Sequence, residues 1–566
     1  MSEVHFTING QSVVAEEGQT ILEAAQAAQI DIPALCYHPS LSAWGACRMC
    51  LVEVEGMRGL HTACTLPVRD DMVVHTKTED TVEARKFNLE LLFSERNHYC
   101  MYCQMSGDCE LQDLAYEHGL DHFTYPRPYE KLEVDASREY FIMDPNRCIL
   151  CTRCVRACAE IAANHTLGVR ERGIDSRIMA DDNVPFGESS CIECGTCIQV
   201  CPTGALVDAR SAYGGREKDV THTRTTCMQC SVGCALDVVT RYKRLLRVDG
   251  VWDSEPSGGL LCVHGRFEPL YEDRERITTP LVRNGDGLEE ASWDEALDLM
   301  KEKLSGENAV GLAACATTNE ALTGFAKLFD KVGGEAGRFE PLAPDLGYGE
   351  QAEISAILES DYIIIAGADP LTYQPVVGYF VKRAADHDVP VALIEESETE
   401  MDEYATVRVS YDEADEIVEE ALDAENPVVI YSVGLKPEAI EAMKPLASKA
   451  GFIGLDPARN GRGAIAAGLN PMEMKDADVL YLLLAEQQVG EAMLSEDNGA
   501  FTIVQAAYVS PLVEGADVVL PTPIWSERTG HVTNLEGRVL PLNPALRKPG
   551  EVRDEVEVFE DLIEKL

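Results

Sequence analysis

The sequence predicts a multidomain protein, with small α+β domains in its first half and an α/β domain in its second half. The chain has 566 residues, which is too long for one ordinary hydrophobic core. Of its 20 cysteines, all but Cys315 lie within the first 262 residues, in groups with short internal spacings. Beyond that point, short apolar runs alternate with amphipathic segments, a pattern typical of buried parallel strands joined by crossover helices.

The cysteine groups indicate bound metal rather than disulfides. No secretory or twin-arginine signal precedes the first expected strand, and no apolar run is long enough to span a bilayer. We therefore expect a cytosolic protein with no integral membrane segment, where thiols stay reduced and cysteines at ligand spacings bind metal. The formal net charge of −49 excludes nucleic acid as an expected partner, and it favours a role in solubility or a saline habitat over a basic partner.

Residues 1–78 are predicted to form a β-grasp domain of the 2Fe-2S ferredoxin type. A strand and an Asn9-Gly10 turn come first, and a helix is expected from Thr20 to Gln29. A binuclear cluster needs two thiolates on one tight loop and two more from flanking segments, although the first gap here is longer than in plant ferredoxins. The cysteines with this arrangement are Cys36, Cys47, Cys50 and Cys64. Gly45 and Ala46 leave room for backbone N–H groups to point at the cluster.

Residues 79–120 are predicted to form a helical domain in which one histidine and three cysteines hold a 4Fe-4S cluster. The helix is indicated by the spacing of Val82, Phe87, Leu91 and Leu92. The three thiols are those of Cys100, Cys103 and Cys109. A cubane needs a fourth ligand, and His98, two positions before the first cysteine, is the candidate. A neutral imidazole in place of a thiolate should raise the potential of that cluster.

Residues 138–210 carry two runs with the spacing of bacterial two-cluster 4Fe-4S ferredoxins. In that pattern the fourth cysteine of each run ligates the other cluster. One cubane is thus expected on Cys148, Cys151, Cys154 and Cys201, and the other on Cys191, Cys194, Cys197 and Cys158. The second run ends in Cys201-Pro202, whereas the first has Ala159 where the proline usually stands. The segment that begins at Ser211 is predicted to be a linker.

Residues 220–275 hold a fifth set of thiols and the first motifs that are specific to one family. The cysteines are Cys227, Cys230, Cys234 and Cys262, and Gly265-Arg266-Phe267 follows them. Arg276-Ile-Thr-Thr-Pro, Ala291-Ser-Trp-Asp, Gly515-Ala-Asp-Val and Gly530-His-Val-Thr come later in the chain. Together they resemble the molybdopterin oxidoreductases. With the preceding cysteine groups, nearly the whole chain resembles the G-type iron–sulfur subunit of NADH dehydrogenases and of NAD-linked hydrogenases and formate dehydrogenases.

This resemblance implies a truncated molybdopterin-oxidoreductase-like α/β domain at residues 276–566, without its catalytic centre. Catalytic members have a lysine two residues after the last cluster cysteine, where this chain has His264. They also present a soft ligand to the metal, whereas Arg338-Phe-Glu-Pro-Leu-Ala offers none up to Leu342 and beyond. Cys315 lies in an expected strand and is interpreted as a buried apolar thiol. We therefore expect no molybdenum or pterin and no catalytic residue, and fold alone does not confer function.

The expected cofactors are one 2Fe-2S and four 4Fe-4S clusters, and the resemblance supplies the expected partners. These are a flavin- and NAD(P)-binding subunit, a thioredoxin-like 2Fe-2S subunit and a hydrogenase or other catalytic subunit, with ferredoxin a further candidate. No convincing dinucleotide site is present, because Asp456-Pro-Ala-Arg-Asn-Gly-Arg-Gly is too irregular for a fingerprint. The chain should therefore bind no NAD, flavin or pterin itself.

Alternatives remain open at the level of the complex. The full set of eight ferredoxin cysteines and the short His98-x-Cys100 spacing favour the hydrogenase branch over the G-type chain of a complex I-type NADH:quinone oxidoreductase. A molybdenum or tungsten formate dehydrogenase α subunit can carry the same five clusters, but such subunits are longer and have the metal ligand. An iron-only hydrogenase would need further cysteines after Cys262, where only Cys315 is available.

Overall fold

The computed structural model describes residues 2–122, 124–125, 131–285, 287–305, 308–348, 351–472, 477–487 and 499–566. The chain divides into two compact units, Met1–Val220 and Thr221–Leu566. Both units mix helices with strands, as the sequence predicts.

The first unit is built on short strands joined by cysteine-bearing loops. Its strands are β1 Glu3–Ile8, β2 Gln11–Glu16, β3 Leu51–Val54, β4 Leu60–Thr62, β5 Val73–His75, β6 Phe141–Met143, β7 Leu167–Arg170, β8 Arg177–Ala180 and β9 Leu206–Asp208. The first five form one sheet in the order β2-β1-β5-β3-β4, in which β1 and β5 run parallel. Strand β6 pairs with β9, and β7 pairs with β8, in two antiparallel ribbons.

The first unit has the two helices that the sequence predicts and three more, but of the four apolar residues that indicated the second helix only Leu92 packs on the core. They are α1 Ile21–Ala27, α2 Glu79–Glu95, α3 Glu110–Glu117, α4 Arg153–Arg156 and α5 Thr196–Gln199. Thr20 and Glu23 form a capping box that fixes the start of α1. On α2, Val82, Phe87 and Leu91 are 44%, 47% and 42% exposed. The buried face of α2 instead carries Arg85 and Leu89. This face packs on the cysteine loop, where Arg85 donates to the Leu51 carbonyl.

The second unit begins with a three-stranded antiparallel sheet and continues into the α/β region. Its strands are β10 Thr221–Thr226, β11 Ala235–Arg241, β12 Arg244–Gly250, β13 Leu281–Asn284, β14 Gly287–Glu290, β15 Ala309–Ala313, β16 Glu335–Arg338, β17 Tyr362–Ala366, β18 Val391–Ile394, β19 Val407–Val409, β20 Pro427–Tyr431, β21 Gly451–Gly454, β22 Asn470–Pro471, β23 Val479–Ala485, β24 Phe501–Ala506, β25 Val518–Pro521, β26 Gly530–Thr533 and β27 Val539–Leu542. The apolar runs expected to be strands are strands here and are buried along their length. They are β15, β17, β18, β20 and β23. The antiparallel sheet β10-β11-β12 around the fifth cysteine set was not expected.

Two parallel sheets form the α/β region. The larger has the order β14-β13-β25-β24-β23-β15-β16-β22, and it is parallel from β25 to β22. The smaller has the order β19-β18-β17-β20-β21 and is parallel throughout. In each sheet the chain leaves a central strand, β15 or β17, to one side and later returns to the other. Ligands of such sheets bind at this switch point, outside the carboxyl ends of the strands.

Helices cover both parallel sheets. They are α6 Val263–Arg266, α7 Trp293–Leu304, α8 Asn319–Val332, α9 Pro370–Tyr373, α10 Pro375–Ala385, α11 Ala414–Asp423, α12 Pro437–Met443, α13 Gly461–Ala466, α14 Pro511–Gly515 and α15 Glu555–Lys565. The core of the larger sheet joins Phe325, Phe329, Tyr481 and Phe559, whose rings pack edge to face or tilted. In the described parts of the chain, no helix has both the length and the apolar character that crossing a bilayer requires.

Candidate iron–sulfur centres

The four cysteines of the first domain converge on one buried space. Cys36, Cys47, Cys50 and Cys64 are between 0% and 8% exposed. The thiols of Cys47 and Cys64 donate hydrogen bonds to the Cys36 sulfur and, with N–H groups of Cys47 and Ala46, lower the pKa of Cys36 to about 2. A hydrogen bond to Cys64 likewise lowers the pKa of Cys50. The pKa values of the donors Cys47 and Cys64 are raised, so all four sulfurs lie within hydrogen-bond contact of at least one other.

The three-cysteine site lies in the loop between α2 and α3, with its thiols partly exposed. The Cys109 thiol donates to the Pro202 carbonyl at 3.6 Å, and burial raises its pKa to about 12. Gly204 faces the Cys103 sulfur so closely that a Cβ there would lie 2.8 Å from it. This site therefore lies against the segment that follows Cys201.

His98 has the properties of a metal ligand. Its Nε2 is buried and has no hydrogen-bond partner among the described residues. Burial, with smaller contributions from Arg147 and Arg96, lowers the pKa of His98 to about 3. The ring is held edge-on by Phe93 at 5.4 Å between ring centroids. A neutral imidazole with one unpartnered ring nitrogen is the form that binds iron, so the residues fit a cluster held by one histidine and three cysteines.

The two ferredoxin runs bring their cysteines together in the exchanged order that the spacing predicts. One cavity is lined by Cys148, Cys151, Cys154 and Cys201, together with Ile149, Ile178 and Leu206. A second cavity is lined by Cys158, Cys191, Cys194 and Cys197, together with Phe141, Leu167 and Phe186. Each cavity thus takes three cysteines from one run and the fourth from the other.

The loops of the two runs have the same local conformation. Leu150 and Thr152 in the first run, and Glu193 and Gly195 in the second, have φ of 54°, 58°, 54° and 69°. This conformation turns the Leu150 N–H toward the Cys148 sulfur at 3.4 Å and the Glu193 N–H toward the Cys191 sulfur at 3.5 Å. Backbone donors aimed at cysteine sulfur are among the means by which a protein tunes a cluster.

Three cysteines of the fifth set lie on the loop between β10 and β11, and the fourth, Cys262, caps the start of α6. The charges of Cys227, Cys230 and Cys262 all raise the pKa of Cys234, after burial itself, so the four sulfurs are neighbours. The loop is held by Ser231, whose hydroxyl donates to the Asp456 carbonyl at 2.7 Å, and by the Leu535 N–H, which donates to the Ser231 carbonyl at 2.8 Å. Both anchors come from the α/β region of the same unit.

Among the described residues, no group of three or more His, Cys, Asp or Glu side chains is arranged to hold a single metal ion. In a 4Fe-4S cluster each thiolate binds a different iron atom, whereas in a 2Fe-2S cluster two thiolates bind each iron.

His264 stands at the position that carries lysine in catalytic molybdopterin enzymes. His264 is half exposed, and its Nδ1 lies 2.6 Å from Oε2 of Glu268, four residues later on the chain. Cys315, after the end of β15, is fully buried, and its N–H donates to the Glu340 carboxylate at 3.2 Å to the nearer oxygen. Burial and the Glu340 carboxylate raise the pKa of the Cys315 thiol, which keeps it neutral and a poor metal ligand.

The protein's own groups lie across the switch points of both parallel sheets. In the larger sheet, buried Arg528 donates to Glu555 at 2.5 Å and to Thr317, after β15, at 2.8 Å, and its Nε lies 3.8 Å from Glu486, after β23. In the smaller sheet the backbones of the loops after β17 and β20 touch. A Cβ at Gly367, whose φ is +57°, would lie 2.2 Å from the Leu435 nitrogen.

A few buried polar atoms near the larger switch point are not satisfied by the described residues. They are Arg528 Nη2, Ser526 Oγ, Gln505 Nε2 and Gln487 Oε1. Isolated donors and acceptors of this kind are usually satisfied by internal water.

Five family models match consecutive parts of the chain. They are a 2Fe-2S iron-sulfur cluster binding domain (residues 1–79), the NADH-ubiquinone oxidoreductase-G iron-sulfur binding region (85–123), the ferredoxin-like domain of NADH-quinone oxidoreductase subunit 3 (140–207), the molybdopterin oxidoreductase Fe4S4 domain (220–271) and molybdopterin oxidoreductase (276–565). The chain is therefore an iron–sulfur protein with the domain order of the G-type chain of NADH dehydrogenase complexes. Through residues 276–565, about half of its length, it belongs to the molybdopterin oxidoreductase family.

Individual relatives agree with this domain order. NADH-quinone oxidoreductase subunit 3 of Thermus thermophilus is 29% identical over 100% of this chain and 83% of its own length. A G-type NADH-quinone oxidoreductase chain of Rhizobium meliloti is 35% identical over 68% of this chain, but the match spans only 46% of the Rhizobium protein. A putative formate dehydrogenase of Staphylococcus aureus is 25% identical over 99% of this chain and 74% of its own length.

A solved structure, that of an NAD+-reducing [NiFe]-hydrogenase in the H2-reduced state, matches 38% of this chain and 90% of its own chain. The identity is 38% and the TM-score is 0.36.

The sequence did not reveal the buried arginines that join the cysteine loops. Arg85, Arg153 and Arg156 are 3%, 4% and 6% exposed and donate to backbone carbonyls of those loops. One signal was available. Arg156 lies between two expected ligands, Cys154 and Cys158, on a segment that must face inward.

Proposed function

We propose that this chain is the multi-cluster electron-relay subunit of an NAD(P)-linked oxidoreductase complex, holding one 2Fe-2S and four 4Fe-4S clusters on 19 cysteines and His98. The observation that carries this proposal is the pair of cavities in which the fourth cysteines are exchanged between runs. When bound, the clusters supply one-electron redox centres. The chain's own residues hold them, exclude water with apolar side chains and set their potentials with N–H donors and the neutral His98.

Partners on either side of the relay follow from the domain order. We propose a flavin-bearing, NAD(P)-binding subunit with a thioredoxin-like 2Fe-2S subunit on one side, and a hydrogenase or other catalytic subunit on the other. The short His98-x-Cys100 spacing and the complete second ferredoxin site support the hydrogenase branch. The second ferredoxin site also gives free ferredoxin a point of exchange, and the complex is proposed to work in the cytoplasm.

We further propose that the α/β domain binds no molybdenum, tungsten or pterin and converts no substrate. Support comes from the Arg528 bridge between the segments after β15 and β23, the contact between Gly367 and Leu435, and the exposed His264–Glu268 pair. Elemental and pterin analysis of the native complex tests this proposal. Near-stoichiometric metal and pterin on this chain would favour the formate dehydrogenase alternative, which the Staphylococcus aureus relative supports.

The second candidate is the G-type chain of a complex I-type NADH:quinone oxidoreductase. It is favoured by the full-length match to the Thermus thermophilus protein. Co-purification of the native complex separates the two candidates. Hydrogen-dependent reduction of NAD(P) by the complex supports the hydrogenase assignment, and quinone reduction with membrane-embedded subunits supports the second candidate.

The relay itself is tested on the purified chain after anaerobic reconstitution. We expect about 18 iron atoms per chain, as one binuclear and four tetranuclear clusters require. Dithionite should reduce the chain, whereas NADH, hydrogen and formate should not until a flavoprotein partner is added. About half of this iron, or stoichiometric zinc, would refute the ligand assignment. Direct reduction by NADH would refute the absence of a substrate site.

A further inference from the structure

One buried arginine connects two of the proposed cluster sites directly. Arg156, on α4, is 6% exposed. Its Nη2 donates to the carbonyl of Cys36 at 2.6 Å and to that of Cys151 at 3.3 Å. Its Nη1 donates to the carbonyl of Ser42, and its Nε donates to the Thr152 hydroxyl at 3.4 Å. The guanidinium therefore bridges a cysteine of the first domain and a cysteine of the first ferredoxin run.

The charge of Arg156 has no acidic partner in the described part of the chain. All four of its acceptors are neutral carbonyl or hydroxyl oxygens. Glu160, the acid nearest along this set of contacts, is exposed and binds the N–H and hydroxyl of Ser42 instead. A buried cation without a counter-charge is strongly disfavoured, so native proteins pair such groups.

Arg153, three residues earlier on the same helix, shows the contrast. It is also buried, and it also joins cysteine loops, through the carbonyls of Ala34 and Val200 at 3.4 Å each. Its charge, however, is paired with both carboxylate oxygens of Glu110, at 2.6 and 3.0 Å. Two arginines in similar surroundings thus differ in whether a carboxylate neutralises them.

We propose that Arg156 is a positioning residue whose unpaired charge is the shared counter-charge of two cluster sites, the one at Cys36, Cys47, Cys50 and Cys64 and the one at Cys148, Cys151, Cys154 and Cys201. Clusters held by thiolates are anionic, and they supply the negative charge that the protein withholds from Arg156. This inference rests on the proposed relay function. It adds that the two sites are electrostatically coupled through one side chain.

The charge favours the reduced form at both sites. Reduction of either site adds one electron and forms or breaks no bond, so its free energy depends on the nearby fixed charge. The same side chain also holds the Cys36–Ser42 loop against the Cys151 loop, which fixes the separation across which an electron passes. Arg156 therefore acts on driving force and on distance together.

The test is a redox titration of the reconstituted full-length chain, followed by electron paramagnetic resonance. Arg156→Gln should lower the equilibrium constant for reduction of both sites about tenfold, a shift of about 59 mV for a one-electron couple. Arg156→Lys keeps the charge and should leave both potentials near those of the wild type. The cluster at Cys227, Cys230, Cys234 and Cys262 is the internal reference and should not shift.

A double substitution, Arg153→Gln with Glu110→Gln, is the matched control because it removes a neutral pair from the same helix. Because Arg153 also donates to the carbonyls of Ala34 and Val200, this control loses loop contacts like those of Arg156 without a net change of charge. Both potentials should therefore shift much less than in Arg156→Gln. Unchanged potentials in Arg156→Gln, or an equal shift in the double control, would overturn the inference.

If Arg156→Gln does not retain iron, Arg156→Lys decides. Iron and potentials like those of the wild type support the charge role, and loss of either overturns it. A wild-type chain that binds no iron would instead refute the proposed function, so the two failures are distinguishable.

A second readout needs no cluster. In the iron-free chain, amide hydrogen exchange of residues 36–42 should be faster in Arg156→Gln than in the wild type, because the two carbonyl acceptors lose their donor. Exchange at the wild-type rate would show that Arg156 does not hold this loop.

Discussion

The cysteine loops of the first unit surround cavities, whereas the strand ends of the second unit are joined by a buried side chain. The chain leaves one cavity lined by Cys148, Cys151, Cys154 and Cys201 and another lined by Cys158, Cys191, Cys194 and Cys197. At His98 it buries a ring nitrogen that has no hydrogen-bond partner among the described residues. At the carboxyl ends of β15 and β23 it places Arg528 across the position where a ligand would bind. The contrast separates a region with thiol-lined cavities from one in which a buried arginine connects the ends of neighbouring strands.

The difference teaches where to look for retained function in a chain that matches an enzyme family. Burying donors and acceptors without partners is costly, so a chain maintains such groups where something else satisfies them. The Arg528–Glu555 pair satisfies Nη1 of Arg528, whereas its Nη2 has no partner among the described residues. The proposed relay function thus depends on the cysteine sites, and the α/β domain anchors the fifth of them through Ser231.

The largest expected effect comes from removing a cysteine from one of the thiol-lined cavities of the first unit. Cys151→Ser removes one thiolate from the cavity it lines with Cys148, Cys154 and Cys201, and should lose about four iron atoms per chain. Electron transfer between partners should then fail, while NADH-driven dye reduction at the flavin subunit continues. Iron analysis and paired activity assays measure this. Full transfer to the natural acceptor would show that the ferredoxin pair is a side branch.

The second-largest effect is expected at the buried ion pair of the α/β domain. Glu555→Gln removes one partner of the buried Arg528–Glu555 pair and should lower the free energy of unfolding by about 3–5 kcal/mol. Local hydrogen exchange in α15 and α8 measures it. Lys565→Met, which breaks a surface pair with Asp298, is the control and should have no measurable effect. Iron content should be unchanged in both variants.

The same pair predicts how the α/β domain responds to acid. Burial alone would raise the pKa of Glu555, but the Arg528 charge and the hydrogen bonds from Thr522 and Arg528 together lower it. A carboxylate with a lowered pKa contributes stability that is present above its unfolded pKa of about 4.3 and is lost as the pH falls through its folded pKa. Exchange in α15 should therefore accelerate below about pH 4 in the wild type. If exchange in α15 accelerates as steeply below this pH in Glu555→Gln, the acid response does not come from Glu555.

His98 provides a smaller and more selective effect. His98→Ala should perturb one cubane, seen by electron paramagnetic resonance, and leave the other clusters intact. His98→Cys should keep that cubane but lower its potential, because a thiolate adds negative charge where the imidazole is neutral. The pair of variants separates ligation from charge. An unchanged spectrum in His98→Ala would exclude His98 as a ligand.

The smallest expected effect is at the remaining cysteine. Cys315→Ala should leave iron content unchanged and cost about 1 kcal/mol of unfolding free energy, because it removes one buried sulfur from the core of the larger sheet. Denaturation monitored by tryptophan fluorescence and iron analysis measure the two quantities. Loss of iron in this variant would place Cys315 among the cluster ligands and contradict the division between the two regions.

Much of this organisation could be predicted from local pattern. The spacings around Cys148 and Cys191 predict the exchanged grouping, and apolar runs such as Tyr362–Ala366 predict buried parallel strands. What pattern could not give is the side from which a helix is contacted. The apolar positions Val82, Phe87 and Leu91 indicate a core face on α2, yet the helix buries Arg85 and Leu89 against the loop of Cys47 and Cys50.

The sequence by itself determined how the ferredoxin cysteines group, because spacing along a tight loop is a local property of the chain. Only the tertiary structure decided that Arg156 lies between Cys36 and Cys151, and that Arg528 spans the segments after β15 and β23. Arg156 and Cys36 are more than one hundred residues apart in the chain, and Arg528 and Thr317 are more than two hundred apart. No local pattern reports such contacts, because they arise when separate elements pack and a buried charge must find its partners.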